Sequence, residues 1–184
     1  LSYMTYVGPD ARENDTPLLA KYVREVADAG VKTFVFVSDL GGIYGYSPTC
    51  WPELGRYDFA YLDRHVQTIL DAAGPDAGLI LQLNIDAPLW WCEQHPAEMM
   101  VLDNGKTNFA EKYFALPRTG PFPSIASNAW RTDMDALLKA LVEHVKAAPY
   151  GARVVGYQAT GLKTQEWYHW SMNTPELGDY SAPM

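Results

Sequence analysis

The stretch Thr164-Gln165-Glu166-Trp167-Tyr168-His169-Trp170 sets one carboxylate among three aromatic rings. It follows the apolar run Val154-Val155-Gly156-Tyr157-Gln158-Ala159, which reads as a buried strand. An acid just beyond the C-terminal end of such a strand suits cleavage of a glycosidic bond. It can give its proton to the bridging oxygen, while the rings offer flat apolar faces to a pyranose. In (β/α) barrels, catalytic groups sit at the C-terminal ends of strands. The competing reading is a surface glutamate beside core aromatics, and the pattern upstream favours the first.

Retaining cleavage needs two carboxylates about 5–5.5 Å apart, one acid/base and one nucleophile. Glu166 is the expected acid/base. Trp167, Tyr168 and Trp170 would disfavour its charged form by desolvation, whereas His169 would act in the opposite sense. Asp39, Asn84 and Asp86 follow the second and third strands and are expected sugar contacts, with loop capping as the alternative. Trp51, Trp90 and Trp91 lie in long loops and either stack on sugar rings or pack as a lid or subunit contact. Trp167 and Trp170 are expected to present further stacking faces. Trp130, on an apolar helix face, reads as core.

The histidines carry less. His65 and His144 read as helix-packing or surface residues, and His95 as part of a turn. Glu166 and His169 have the Glu-x-x-His spacing of metal sites, but no second such pair exists, so neither metal nor cofactor is expected. Cys50 and Cys92 fit free thiols, a disulfide or two metal ligands.

These residues require a scaffold, and the segments alternate strand and helix as in a parallel sheet with crossover helices. Leu1 to Val7 reads as a first strand. Thr16 as cap and Pro17 at the first position open a helix that Gly30 closes. Val31 to Val37 is a strand covered on both faces. Asp58 caps a second helix, ended by Gly74-Pro75, and Gly78 to Leu83 is the third strand. The region from Ala87 to about Ile125 reads as irregular. Ser127 caps a third long helix that Pro149 and Gly151 stop. The long aromatic loops all follow strands, which marks one end of the sheet as the ligand face.

The 184 residues are 48% hydrophobic and 13% aromatic, enough for a sizeable core. A net charge of -8, with no basic cluster, argues against nucleic acid and anionic membranes as partners. No run approaches the roughly 18 apolar residues of a membrane span. Beginning at Leu1 rather than Met is expected of a processed chain or fragment. The compartment stays open, with cytoplasmic favoured over secreted.

Gly55-Arg56-Tyr57-Asp58-Phe59 with Leu62-Asp63, Pro88-Leu89-Trp90, His95-Pro96-Ala97-Glu98, Asp103-Asn104-Gly105 and Pro123-Ser124 occur in that order. With Val155-Gly156-Tyr157-Gln158 leading to Glu166, the set resembles the N-terminal half of a clan A retaining glycoside hydrolase of the β-galactosidase type. The resemblance implies an α/β fold, a parallel half-barrel holding strands one to four of a (β/α)8 barrel, with residues 1–184 as a single unit. It implies an exo-acting β-galactosidase-like enzyme with a carbohydrate substrate and Glu166 as acid/base. The nucleophile would be a glutamate ending a seventh strand, outside this sequence. The family usually has asparagine before the acid/base, and Gln165 stands there, able to bond a sugar 2-hydroxyl. Four strands in 184 residues imply a fragment of a longer barrel, or a half-barrel completed by a homo-oligomer or another chain. The alternatives are a non-catalytic carbohydrate-binding half-barrel, and a metal-dependent sugar-processing barrel with ligands among Asp39, Asp86, Glu166 and His169.

Overall fold

The computed structural model describes residues 2–5, 16–43, 48–110, 120–163, 165–172 and 174–184. Four strands form one parallel sheet: β1 (Ser2–Thr5), β2 (Thr33–Asp39), β3 (Gly78–Asn84) and β4 (Val154–Thr160). Four helices join them: α1 (Thr16–Asp28), α2 (Ala60–Ala73), the short α3 (Leu89–Gln94) and α4 (Asn128–Ala147). Strand order is β1-β2-β3-β4. Every crossover moves one strand in the same direction, as in a barrel and unlike a doubly wound sheet, whose order reverses. The architecture is α/β, a parallel half-barrel. Leu1, Tyr6 and Val7 of the expected first strand, and the side chain of Thr16, lie outside the described residues.

Period-2 alternation gives β2 and β3 two distinct faces. Phe34, Phe36, Leu79, Leu81 and Leu83 form one cluster with Leu62, Val66, Ile69 and Leu70 of α2 and Met134, Leu137, Leu141 and Val145 of α4. Each such side chain stabilises the fold by about 1.5–3 kcal/mol when fully buried. Trp130 joins this core, as expected. The opposite face carries Val37 beside Gln82 and Asp39 beside Asn84.

Helix starts follow the local chemistry. Ser127 Oγ accepts from Trp130 N at 3.0 Å and caps α4. Asp58 acts one residue earlier than an N-cap, its Oδ1 accepting from Ala60 N at 2.9 Å. In the stretch from Ala87 to Ile125, which reads as irregular, α3 forms. Its anchor is Trp91, fully buried, stacked on His95 and donating Nε1–H to Asp133 at 2.8 Å. Tertiary burial of one indole makes this short helix.

The expectation of a buried fourth strand fails. Val155 is 65% and Tyr157 40% exposed. Among the described residues β4 pairs only with β3, so its apolar sequence lacks the neighbours that would cover it.

The loops after β2, β3 and β4 share a second core of Ile43, Met100, Leu102, Phe109, Phe122, Leu162 and Trp170. A Cβ at Gly41 would lie 2.0 Å from the Asp86 carbonyl oxygen, so the close approach of two of these loops requires glycine there. Both cysteines are buried thiols outside any disulfide. Burial pushes the Cys50 thiol up to about 12.

Candidate functional site at the C-terminal strand ends

Asp39 and Asn84 end β2 and β3 in register, and Asn84 Nδ2 donates to Asp39 Oδ1 at 3.3 Å. Leu40 N donates to the Asn84 carbonyl at 3.0 Å, and Ile85 N to the Thr160 carbonyl at 2.8 Å, carrying the ladder past the strand ends. Two residues on, Asp86 Oδ1 accepts from Leu162 N at 3.1 Å, tying the loop after β3 to the loop after β4. Asp39, Asn84 and Asp86 are all essentially inaccessible. They form a buried polar seam under the site rather than side chains standing free in it.

The loop after β4 is tightly wound. Leu162, Gln165 and Trp167 have φ of 61°, 62° and 63°, in the left-handed region that side chains other than glycine disfavour. Each such residue costs on the order of 1–3 kcal/mol and persists only where surrounding contacts fix it. Here Gln165 N donates to the Leu162 carbonyl at 3.2 Å, Trp167 N to that of Gly161 at 3.1 Å, and Lys163 N to that of Tyr168 at 3.1 Å. Gln165 itself is buried, its Oε1 accepting from Gln82 Nε2 at 3.2 Å. Glu166 stands exposed between a buried Gln165 and a half-exposed Trp167.

Trp167 donates Nε1–H to the Ala159 carbonyl at 3.2 Å, which fixes the ring. The ring lines a cleft of about 450 Å³ with Ile85, Ile125, Leu138 and Leu162, among others. Trp167 thus keeps an open flat face, in a cleft that Trp130 and Met134 of α4 also line. Trp170 does not: it is 1% exposed and stacks on Phe122 at 4.2 Å in the loop core. Trp51 is likewise buried, edge-on to Trp90 at 5.4 Å. Trp90 is half-buried and donates Nε1–H to the Trp51 carbonyl at 2.6 Å. The aromatic enclosure expected around Glu166 is thus reduced to Trp167 and the half-exposed Tyr168.

His169 is half-buried and shares a 2.8 Å hydrogen bond with Ser171 Oγ. Burial lowers its pKa from 6.5, against a smaller opposing pull from Asp179. Lys163, buried three residues before Glu166, donates to the Met172 carbonyl, and desolvation lowers its pKa. Among the described residues, no group of three or more His, Cys, Asp and Glu side chains is placed to hold a metal ion. Sequence reasoning passed over Gln82, although period-2 alternation puts it on the Asn84 face. Asp63, in the first turn of α2, accepts from His144 Nε2 at 2.8 Å and from the Tyr150 hydroxyl, contacts that sequence reasoning did not foresee.

No family model and no curated protein sequence matches the chain. Solved structures do. The catalytic domain of β-amylase from Paenibacillus polymyxa superposes with a TM-score of 0.61 at 12% identity, over 86% of this chain and 36% of that one. The family 36 α-galactosidase AgaB from Geobacillus stearothermophilus gives 0.51 at 9% identity, over 89% of this chain and 21% of that one. A variant of AgaA from the same organism, in complex with stachyose, gives the same values. The chain spans little more than a third of the β-amylase domain and about a fifth of each α-galactosidase. At these identities the likeness is one of fold alone: the chain folds as part of a TIM barrel.

Proposed function

We propose that the chain is part of a retaining glycoside hydrolase, exo-acting and β-galactosidase-like, with Glu166 as general acid/base and the nucleophile supplied from outside this sequence. The observation that carries the reading is the position of Glu166: exposed, on the loop that follows β4, whose backbone strain is held by buried contacts. Strain of this kind clusters at active sites. The barrel fold of the neighbours supports the class of chemistry, and the ordered motifs from Gly55 to Glu166 support the β-galactoside preference.

In this reading Glu166 gives a proton to the glycosidic oxygen as its bond to the anomeric carbon breaks. A carboxylate from the rest of the barrel takes the glycosyl group. Glu166, now ionised, then removes a proton from the water that releases the sugar. Trp167 receives an apolar sugar or aglycone face. Asp39, Asn84 and Asp86 hold the floor, with Gln165 beside the acid. Trp90, half-buried, is a further contact at the rim, whereas Trp51 and Trp170 support the loops from within. The carbohydrate is the partner this site calls for.

Replacing Glu166 by alanine in the full-length protein tests the assignment. Turnover of glycosides with poor leaving groups should fall far more than that of activated aryl glycosides, which need little protonation. Equal losses on both would remove the acid/base role. A denatured mass above 20.6 kDa for the purified protein would put the nucleophile on the same chain. A mass equal to it would require another subunit to supply that group.

A further inference from the structure

We infer that Gln82 is a positioning residue for the Glu166 loop. The inference rests on the acid/base reading for its catalytic meaning, and on geometry alone for the contact itself. Gln82 lies within β3, two residues before Asn84 and on the same face, in register with Val37 of β2 and Gln158 of β4. Barrel interiors at this depth are filled mainly by branched apolar side chains, so a buried amide there needs a reason. It is 4% exposed, and its Nε2 donates to Oε1 of Gln165, itself 7% exposed. Gln82 Oε1 has no hydrogen-bond partner among the described residues. Among the described residues the amide is therefore oriented by this one contact, which spans 83 positions of sequence.

Two consequences follow from the chemistry of the amide pair. Gln165 has a left-handed backbone, and the bond to Gln82 ties its side chain to a rigid strand in the same residue that carries the strain. Glu166 is the next residue, so the carboxylate inherits its direction from that tie. The bond takes up one lone pair of Gln165 Oε1 and leaves Nε2–H as the donor of that amide. Such a donor suits a hydroxyl or ring oxygen of a sugar. The strand thus sets the aim of the acid and holds the amide beside it.

The test uses Gln82→Met, which keeps the chain length and removes both amide groups, with Gln165→Met and the double variant beside it. Hydrogen exchange is followed at the backbone amides of Lys163, Gln165 and Trp167, each of which donates within the loop. Gln82→Met should speed exchange at these three by about tenfold, the effect of one lost buried hydrogen bond. Amides of α2 and α4 should keep their rates, and the double variant should be no faster than either single one. Unchanged loop rates, or equal acceleration throughout the chain, would overturn the inference. If Gln82→Met does not fold, Gln165→Met breaks the same contact from the loop side and is read in the same way. In the full-length protein, Gln82→Met should lower kcat on poor leaving groups while sparing activated aryl glycosides, and a loss confined to KM would count against positioning. If Glu166→Ala leaves turnover intact, the acid/base reading falls, while the exchange rates still decide whether Gln82 holds the loop.

Discussion

Strands β3 and β4 are both seven residues long and lie side by side in one parallel sheet, yet they meet different surroundings. The sequence Gly-Leu-Ile-Leu-Gln-Leu-Asn of β3 is paired on both edges; α2 and α4 cover Leu79 and Leu81, and Gln82 and Asn84 on the opposite face are buried as well. The sequence Val-Val-Gly-Tyr-Gln-Ala-Thr of β4 is comparably apolar, but only Thr160 at its end is buried. Burial is a property of neighbours, and β4 has them on one side. The site inherits this contrast. Its β3 side is a locked seam of Asn84, Asp39 and Asp86, and its β4 side is a strained loop that presents Glu166 to solvent.

The contrast is sharpest in catalysis. Glu166→Ala in the full-length protein should reduce turnover of poorly activated glycosides by about 10²–10⁴-fold, the range for loss of a general acid. Leaving-group dependence of kcat is the check, and a flat response would place catalysis elsewhere. Stability comes next. Leu81→Ala removes a buried side chain next to both helices and should cost about 2–5 kcal/mol in denaturant unfolding. Tyr157→Ala on β4 should stay within about 0.5 kcal/mol, as surface changes do. If the two costs were equal in the full-length protein, another element would have to cover β4 there.

Smaller effects separate the helix that covers β3 from the rest. Ser127→Ala removes the cap of α4 and a 2.5 Å bond to Glu98, and should lower stability by about 0.5–2 kcal/mol, measured as a shift in urea midpoint. The smallest concerns His65 on α2, buried and stacked on Tyr61 at 4.0 Å. Burial lowers its pKa below 6.5, so the unfolded chain takes up the proton first. Its contribution is complete above pH 6.5 and is lost as pH falls through that value towards the folded pKa. His65→Phe should therefore make the acid-side loss of stability shallower, with a remaining slope from His169, which burial lowers likewise.

Much of the frame was legible in the residues. Ser127 before an apolar helical stripe gave the start of α4, and Val31 to Val37 gave β2 to within two residues. The polar groups Asp39, Asn84 and Asp86 were found at strand ends because strand periodicity and loop composition both point there. What they do was not legible, since Asn84 bonding Asp39 and Asp86 bonding Leu162 join segments 45 and 76 positions apart. The tryptophans show the same limit. Trp167 and Trp170 share one short stretch, but one lines an open cleft and the other fills a core built from three separate loops.

The sequence by itself determined the alternation of elements, the caps that begin α2 and α4, and the placing of a carboxylate just past the fourth strand. These are local matters, set by side-chain period and by hydrogen bonds within a few residues. Tertiary structure alone decided that β4 is uncovered, that Trp51 and Trp170 are inside, and that Gln82 reaches Gln165 across 83 positions. Those outcomes depend on which distant surfaces meet, and no periodicity in a single segment encodes its neighbour.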